Sequence, residues 1–145
     1  MTDTQADVTI ASKRATLPVV LRSVTNLVRA CGCSFSKDAT QLLVNSVGDV
    51  TEFIVRNNRL LVIPSEVSKR IGGGTIKLTK SWMESFIGQL DVPKADRQKY
   101  INSVTAALTM CIESACSATK RMRQASKSPI VNEDILGMFL KHYTH

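Results

Sequence analysis

The ten residues "SKSPIVNEDI", positions 126–135, separate the longest uninterrupted stretch of the chain from its last apolar segment, "LGMFLKHYTH" at 136–145. Upstream, "ADRQKYINSVTAALTMCIESACSATKRMRQA" at 95–125 contains neither proline nor glycine. In it Tyr100, Val104, Leu108, Cys111, Ala115, Ala118 and Met122 recur every three or four residues, which predicts a helix from about Asp96 to Ala125. At 1.5 Å per residue that helix is about 45 Å long, against a radius of gyration of about 15 Å for a globule of this size. It must therefore cross the whole molecule as a spine. Its end is cationic, as the helix dipole favours, and Pro129 forces an extended turn. Asn132 then caps a short final helix. Lys127 closes the long helix and Asp134 lies in the first turn of the next, so a clamp between them would fix the angle of the two helices.

Working outward, a similar order of elements precedes this one. Residues 1–15 are polar and of mixed charge, with only Lys13 and Arg14 basic, and read as a tail. From Thr16, "LPVVLRSVTNLVRACG" carries a helical stripe of Leu17, Val20, Leu21, Val24, Leu27 and Val28, with Pro18 in its first turn and Gly32 at its end. Ser36 can cap a second helix, with Asp38 in its first turn and Ala39, Leu42, Leu43, Val47, Val50, Phe53 and Ile54 on one face, ending near "RNN". "RLLVI" is extended, Pro64 begins a brief helix, and "GGGT" is the clearest linker. "TKSWMESFIGQL" is a short helix with Thr79 as its cap and Trp82, Met83, Phe86, Ile87 and Leu90 inward; "DVPKA" is the loop before the spine. The order is short, long, short helix, a linker, then short, long, short again. Residues 59–67, "RLLVIPSEV", laid over 127–135, set Arg59 on Lys127, Val62 on Ile130, Glu66 on Asp134 and Val67 on Ile135.

Composition agrees with helix-on-helix packing. Of 145 residues 43% are hydrophobic but only 5% aromatic, which gives an aliphatic core. The net charge of +7 points to polyanionic partners. No apolar run reaches the roughly 18 residues that span a bilayer, and the first twenty residues lack the basic-then-apolar pattern of a secretion signal. An intracellular or particle-packaged protein with reduced cysteines is expected.

Short–long–short helices joined by two loops resemble the histone fold, and the second half is similar in spacing to an archaeal histone from Trp82 to the end without a gap. "ESFIGQL" falls on that fold's first helix, "DVPKA" on its first loop, and "RMRQASKSPIVNEDI" on the end of its long helix, second loop and third-helix start. Lys127 and Asp134 match the family's clamp; its frequent loop threonine is matched by Pro129, with Ser128 beside it. In the first half Arg59 and Glu66 match the same clamp, but Ser36 to Asn58 is about two turns short for the family's long helix. Either that helix is truncated, or it continues through "RLLV" and the second loop lies near "GGGTIKL"; the truncated reading leaves the second copy complete. The resemblance implies an all-α chain of two fused histone folds paired head to tail: a tail at 1–15, a shortened copy at 16–72 and a full copy at 73–145. Such a chain looks like the histone doublets of some large DNA viruses and archaea.

Antiparallel pairing of two histone folds sets the first loop of each copy beside the second loop of the other, and these loops with the first-helix N-termini form the family's DNA-binding edge. Transferred here, one end gathers Lys37, Lys120, Arg121, Arg123, Lys127 and Ser128, and the other Arg56, Arg59, Lys94, Arg97 and Lys99. Arg22, Lys77 and Lys80 lie near the first helices. The expected activity is architectural: bending and compaction of double-stranded DNA through phosphates, without sequence specificity. Self-association or pairing with other histone-fold proteins is expected, in chromatin of a nucleus, in a nucleoid or in a virion, with no membrane partner. The alternative is a scaffold subunit of a transcription or repair complex that acts through protein contacts.

Other features carry less. "CGC" at 31–33 has one intervening residue and "CIESAC" at 111–116 has four, which does not form a compact finger; buried or semi-exposed thiols are expected instead of a zinc site. "GGGT" is not followed by "GK[ST]", so it is not read as a phosphate loop. His142 and His145 read as surface residues, and no Ser–His–Asp or paired-carboxylate set is found. No enzyme activity, cofactor or metal is expected.

Overall fold

Pro18 and Val19 do not enter the first helix. In the computed structural model, which describes residues 17–122 and 129–144, Val19 forms an antiparallel bridge with Leu78. Helix α1 starts only at Leu21 and runs to Ala30. Pro18, expected in its first turn, thus lies ahead of it, because pairing with a segment sixty residues away holds that backbone extended. Gly32 ends the helix as expected: its φ of 78° lets the Gly32 N–H bond the Arg29 carbonyl at 2.9 Å and the Cys33 N–H bond that of Val28 at 3.1 Å.

Strand β1 (Ser34–Phe35) leads into α2 (Lys37–Arg56), whose cap is Ser36; its hydroxyl accepts the Ala39 N–H at 3.0 Å. The helix stops at Arg56, so the shorter of the two courses considered for it is the one observed. Asn58 follows at a φ of 49°. Residues 59–64 form neither helix nor strand, and α3 (Ser65–Arg70) is a turn and a half with Pro64 as its N-cap rather than its first residue. Gly72 and Gly73, at φ of 66° and 75°, turn the chain in open space: a β-carbon there would meet nothing within 4 Å. Helix α4 (Lys80–Gly88), a 3₁₀ turn at Lys94–Asp96, the long α5 (Arg97–Met122), β2 (Ile130–Val131), α6 (Glu133–Leu140) and a 3₁₀ turn at Lys141–Tyr143 complete the order. Asn132 caps α6 by accepting the Ile135 N–H at 2.9 Å. The described part of α5 has 26 residues, about 39 Å.

The chain is mostly helical, with two strands of two residues each among the described residues. The short helices of each half lie on the long helix of the other. On α2, Gly48 faces the Phe86 ring of α4, where a β-carbon would sit 3.4 Å from the ring, and a β-carbon on Gly137 of α6 would sit 3.7 Å from Leu42 Cδ2. Against α5, Arg70 of α3 pairs with Glu113, and Cys33 behind α1 reaches the Cys116 carbonyl at 3.5 Å. One aliphatic core runs through both halves, from Val24 and Leu43 to Leu108, Ile112 and Leu136. Each such side chain contributes roughly 1.5–3 kcal/mol by leaving water. Trp82 and Phe86 stack at 4.9 Å over its edge.

Two polar side chains of α5 hold down the non-helical segments around Leu61 and Ile76. Ser103 accepts the Leu61 N–H at 3.0 Å and Thr109 that of Ile76 at 3.4 Å, so backbone donors that would otherwise be buried without partners are satisfied. No helix among the described residues is long and apolar enough to cross a membrane.

Candidate nucleic-acid interface

Three groups of cations can be placed, and each is set by how backbone segments from the two halves meet. The central one lies at the starts of α1 and α4. Around the Val19–Leu78 bridge, the Val20 N–H bonds the Lys77 carbonyl at 2.8 Å and the Thr79 N–H bonds that of Pro18 at 2.9 Å. Ser23 Oγ accepts the Lys77 N–H at 2.8 Å while donating to the Val20 carbonyl at 2.6 Å. Two helix N-termini are thereby fixed side by side. Arg22, Lys77 and Lys80 are all exposed around them.

These two termini differ from those of α2, α3 and α6. Helices α2 and α6 have side-chain caps and acids in the first turn, and α3 has Glu66 there. The caps of α1 and α4, Val20 and Thr79, make no side-chain cap bond, and neither first turn holds an acid. Thr79, expected as a cap by type, has the position without the bond. Partial positive charge from two dipoles therefore adds to three side-chain cations with no anion supplied by the caps or first turns.

The second group lies at the β1–β2 end. The strands pair in parallel, Ser34 with Ile130 and Phe35 with Val131, through Ser34 N–H to Pro129 carbonyl at 3.0 Å and Ser36 N–H to Val131 carbonyl at 2.9 Å. This joins the loop between α1 and α2 to the loop between α5 and α6. Lys37 is brought beside it, exposed. The Lys120 chain lies over Gly32, with Cδ 3.7 Å and Nζ 3.9 Å from where a β-carbon would be, which sets its charge near the C-terminal end of α1, where the dipole favours it. Arg121 borders a cleft with Arg70, Ser114, Ser117 and Phe139. Arg123, Lys127 and Ser128 lie outside the described residues, and with them the expected Lys127–Asp134 clamp.

At the opposite end the two loops meet without strands. Asp91 (φ 62°) follows α4 as Gly32 follows α1, and two residues on, where Ser34 donates its N–H, stands Pro93, which has none. The connection is made by side chains: Tyr100 donates to Asn58 Oδ1 at 2.7 Å. The cations here have protein neighbours. Arg56 pairs with Glu52 at 2.6 Å, and Lys99 with Asp96 at 3.6 Å. Arg97, half-buried, donates to the Val92 carbonyl at 3.3 Å and packs on Gly88. Lys94 is exposed. The expected Arg59–Glu66 clamp is not formed. The Arg59 guanidinium lies 5.9 Å from the Phe53 ring centre and 5.6 Å from that of Tyr143, held by the two aromatic faces. Glu66 instead lies near enough to Arg70 to favour its charged form. Exposed pairs of the Arg56–Glu52 kind are worth about 0.3–0.5 kcal/mol, too little to prevent a phosphate from replacing the carboxylate.

The sequence reading set the cations of the central group near the first-helix N-termini but did not foresee that both termini lack a side-chain cap bond. A signal was present: no acid occurs from Val8 to Lys37, from Val67 to Met83, or from Ser114 to Asn132. Among the described residues no group of histidines, cysteines and acids is arranged to hold a metal. Comparison of the chain with protein-family models, with curated proteins and with solved structures finds no match.

Proposed function

We propose that the chain is a histone-like doublet, two histone folds fused and paired head to tail, which bends and compacts duplex DNA by holding its phosphates. The observation that carries the reading is the central group: two adjoining helix N-termini without side-chain caps or first-turn acids, ringed by Arg22, Lys77 and Lys80. Main-chain N–H groups and flexible cations bind phosphate oxygens and read no base. The parallel pairing of Ser34–Phe35 with Ile130–Val131 supports the head-to-tail arrangement, because it joins a first loop of one half to a second loop of the other. With Lys37 and Lys120 at that end, phosphate contacts at more than one place along a duplex would favour a bent path.

A scaffold role within a larger assembly is the second reading, favoured by aliphatic side chains left in water, Val62 at 83% exposure and Met138 at 62%. Titration of random-sequence duplex in a gel-shift assay at two salt concentrations separates the two. The architectural reading expects tight binding at low salt that falls steeply as salt rises. Replacing Arg22, Lys77 and Lys80 by alanine should weaken binding by at least about tenfold and flatten the log–log salt dependence by about 2–3, at about 0.9 per phosphate contact. Absence of binding at low salt would leave only the scaffold reading.

A further inference from the structure

The loop after each long helix meets a different fate. Ile130, after α5, is held in a strand by pairing with Ser34. Its counterpart after α2 is Val62, from the overlay of residues 59–67 on 127–135. At that end Pro93 stands where a strand partner would donate its N–H, and the described residues form no strand there. Val62 is left 83% exposed and Leu60 56%, while Leu61 and Ile63 are half-buried against the core. Side chains that alternate between water and core belong to a chain running flat along the surface, as a strand does. Pro64, at a ψ of 148°, continues that course into α3. Ser103 fastens the run from beneath by accepting the Leu61 N–H at 3.0 Å. The result is a fixed apolar ridge, "LLVI" at 60–63, without the in-chain partner that its counterpart has.

We infer that residues 60–63 dock on the same residues of a second copy of the chain, the two runs crossing antiparallel at a two-fold axis with Val62 against Val62. Aliphatic side chains offer nothing to a phosphate, so this ridge is not a duplex contact. Charge selects the occupant and its direction. The ridge is bounded by cations on one side, Arg56 and Arg59, and by an acid on the other, Glu66, all exposed. Antiparallel crossing sets the cationic side of each copy beside the acidic side of the other, whereas parallel crossing would oppose like charges. A molecule of net charge +7 repels its own copies over most of its surface. Here much of the positive charge already has a counterpart within the chain: Glu52 pairs with Arg56, Asp96 with Lys99, and Arg59 lies against the rings of Phe53 and Tyr143. A two-fold contact uses each ridge once, so it gives a closed pair and not a filament. A contact so narrow belongs to the weak, transient class. The pairing needs no DNA, and it stands or falls independently of phosphate binding at the cationic groups.

Sedimentation velocity of the whole chain without nucleic acid, from micromolar to near-millimolar concentration, tests the pairing. The expected mass rises from one copy, 15.9 kDa, toward two and no further. Moderate salt should strengthen the pair by screening the repulsion of two cationic copies, the opposite of its effect on duplex binding. Val62→Lys should weaken the pair at least about tenfold by setting like charges at the axis, and so should Val62→Glu; mixing the two variants should restore it. Leu60→Lys, at the neighbouring exposed position, should also weaken it, whereas Met138→Lys, at an exposed methionine of α6, should leave the mass unchanged. All three positions face water, and unchanged helical circular dichroism confirms that each variant keeps its fold. A single copy at every concentration, a pair that Val62→Lys leaves intact, a mixture of Val62→Lys and Val62→Glu that stays apart, or a pair lost in Met138→Lys would overturn the inference.

Discussion

Glu113 is a carboxylate 7% exposed on the spine of the molecule, and three donors surround it. Arg70 Nε and Nη2 approach its two oxygens at 2.8 and 3.2 Å, and the Ser117 hydroxyl reaches one of them at 3.1 Å. Burial would raise its pKa; the bonds from Arg70 and Ser117, with the charges of Arg70 and Lys120, prevail and hold it below the ordinary 4.5. A carboxyl depressed on folding contributes stability that is complete above its unfolded value and is lost as the pH falls through the folded one. Thermal melts between pH 7 and pH 3 should therefore show wild type losing stability below about pH 4.5, with the gap to Glu113→Gln closing over the same range. Arg70→Ala should lower the melting temperature by several degrees at pH 7, because it strands the carboxylate, whereas Lys69→Ala, on the same short helix and exposed, should change it little.

Helix starts give the next scale its test. An aspartate at a cap position both accepts first-turn N–H groups and complements the dipole, so Thr79→Asp should stabilise the fold by about 0.5–1 kcal/mol in denaturant titration. The same carboxylate would occupy the place of a phosphate at the α1–α4 junction, so duplex binding should weaken several-fold although the protein is more stable. A purely structural junction predicts the first effect without the second. Most elements were legible from residue order alone: Ser36 and Asn132 cap as their types suggest, Gly32 ends α1, and the stripe Ala39, Leu43, Val47, Val50 and Ile54 is buried throughout. What could not be read is what depends on a distant partner. Pro18 looks like a first-turn proline until Leu78 is known to lie beside Val19, and Arg59 looks like half of a clamp until Tyr143 is known to cover it. The stripe of α5 overshoots at Met122, which is 69% exposed because the core ends before the helix does. Pro93 could have been read, since a proline cannot donate, but only once Ser34 had shown which N–H mattered.

At the scale of the molecule, the halves are bound by far more than the segment that joins them. The core is shared, the β1–β2 pairing links residues almost a hundred positions apart, and Arg70–Glu113 crosses between halves. The glycines at 72 and 73 bond only to the backbone of α3 just before them, and a β-carbon on either would meet nothing within 4 Å. The joining segment then supplies effective concentration and little else. If a protease site is placed between Gly72 and Gly74 and cut, the two pieces should remain together through gel filtration at micromolar concentration, with unchanged helical circular dichroism. Their melting temperature should fall on dilution, whereas that of the intact chain should not. Separation of the pieces on cutting would show that the halves depend on their tether. Retention would mean that the covalent connection governs stoichiometry: a one-to-one ratio of unlike halves is guaranteed at synthesis, and neither half is ever made without the partner that covers its apolar faces.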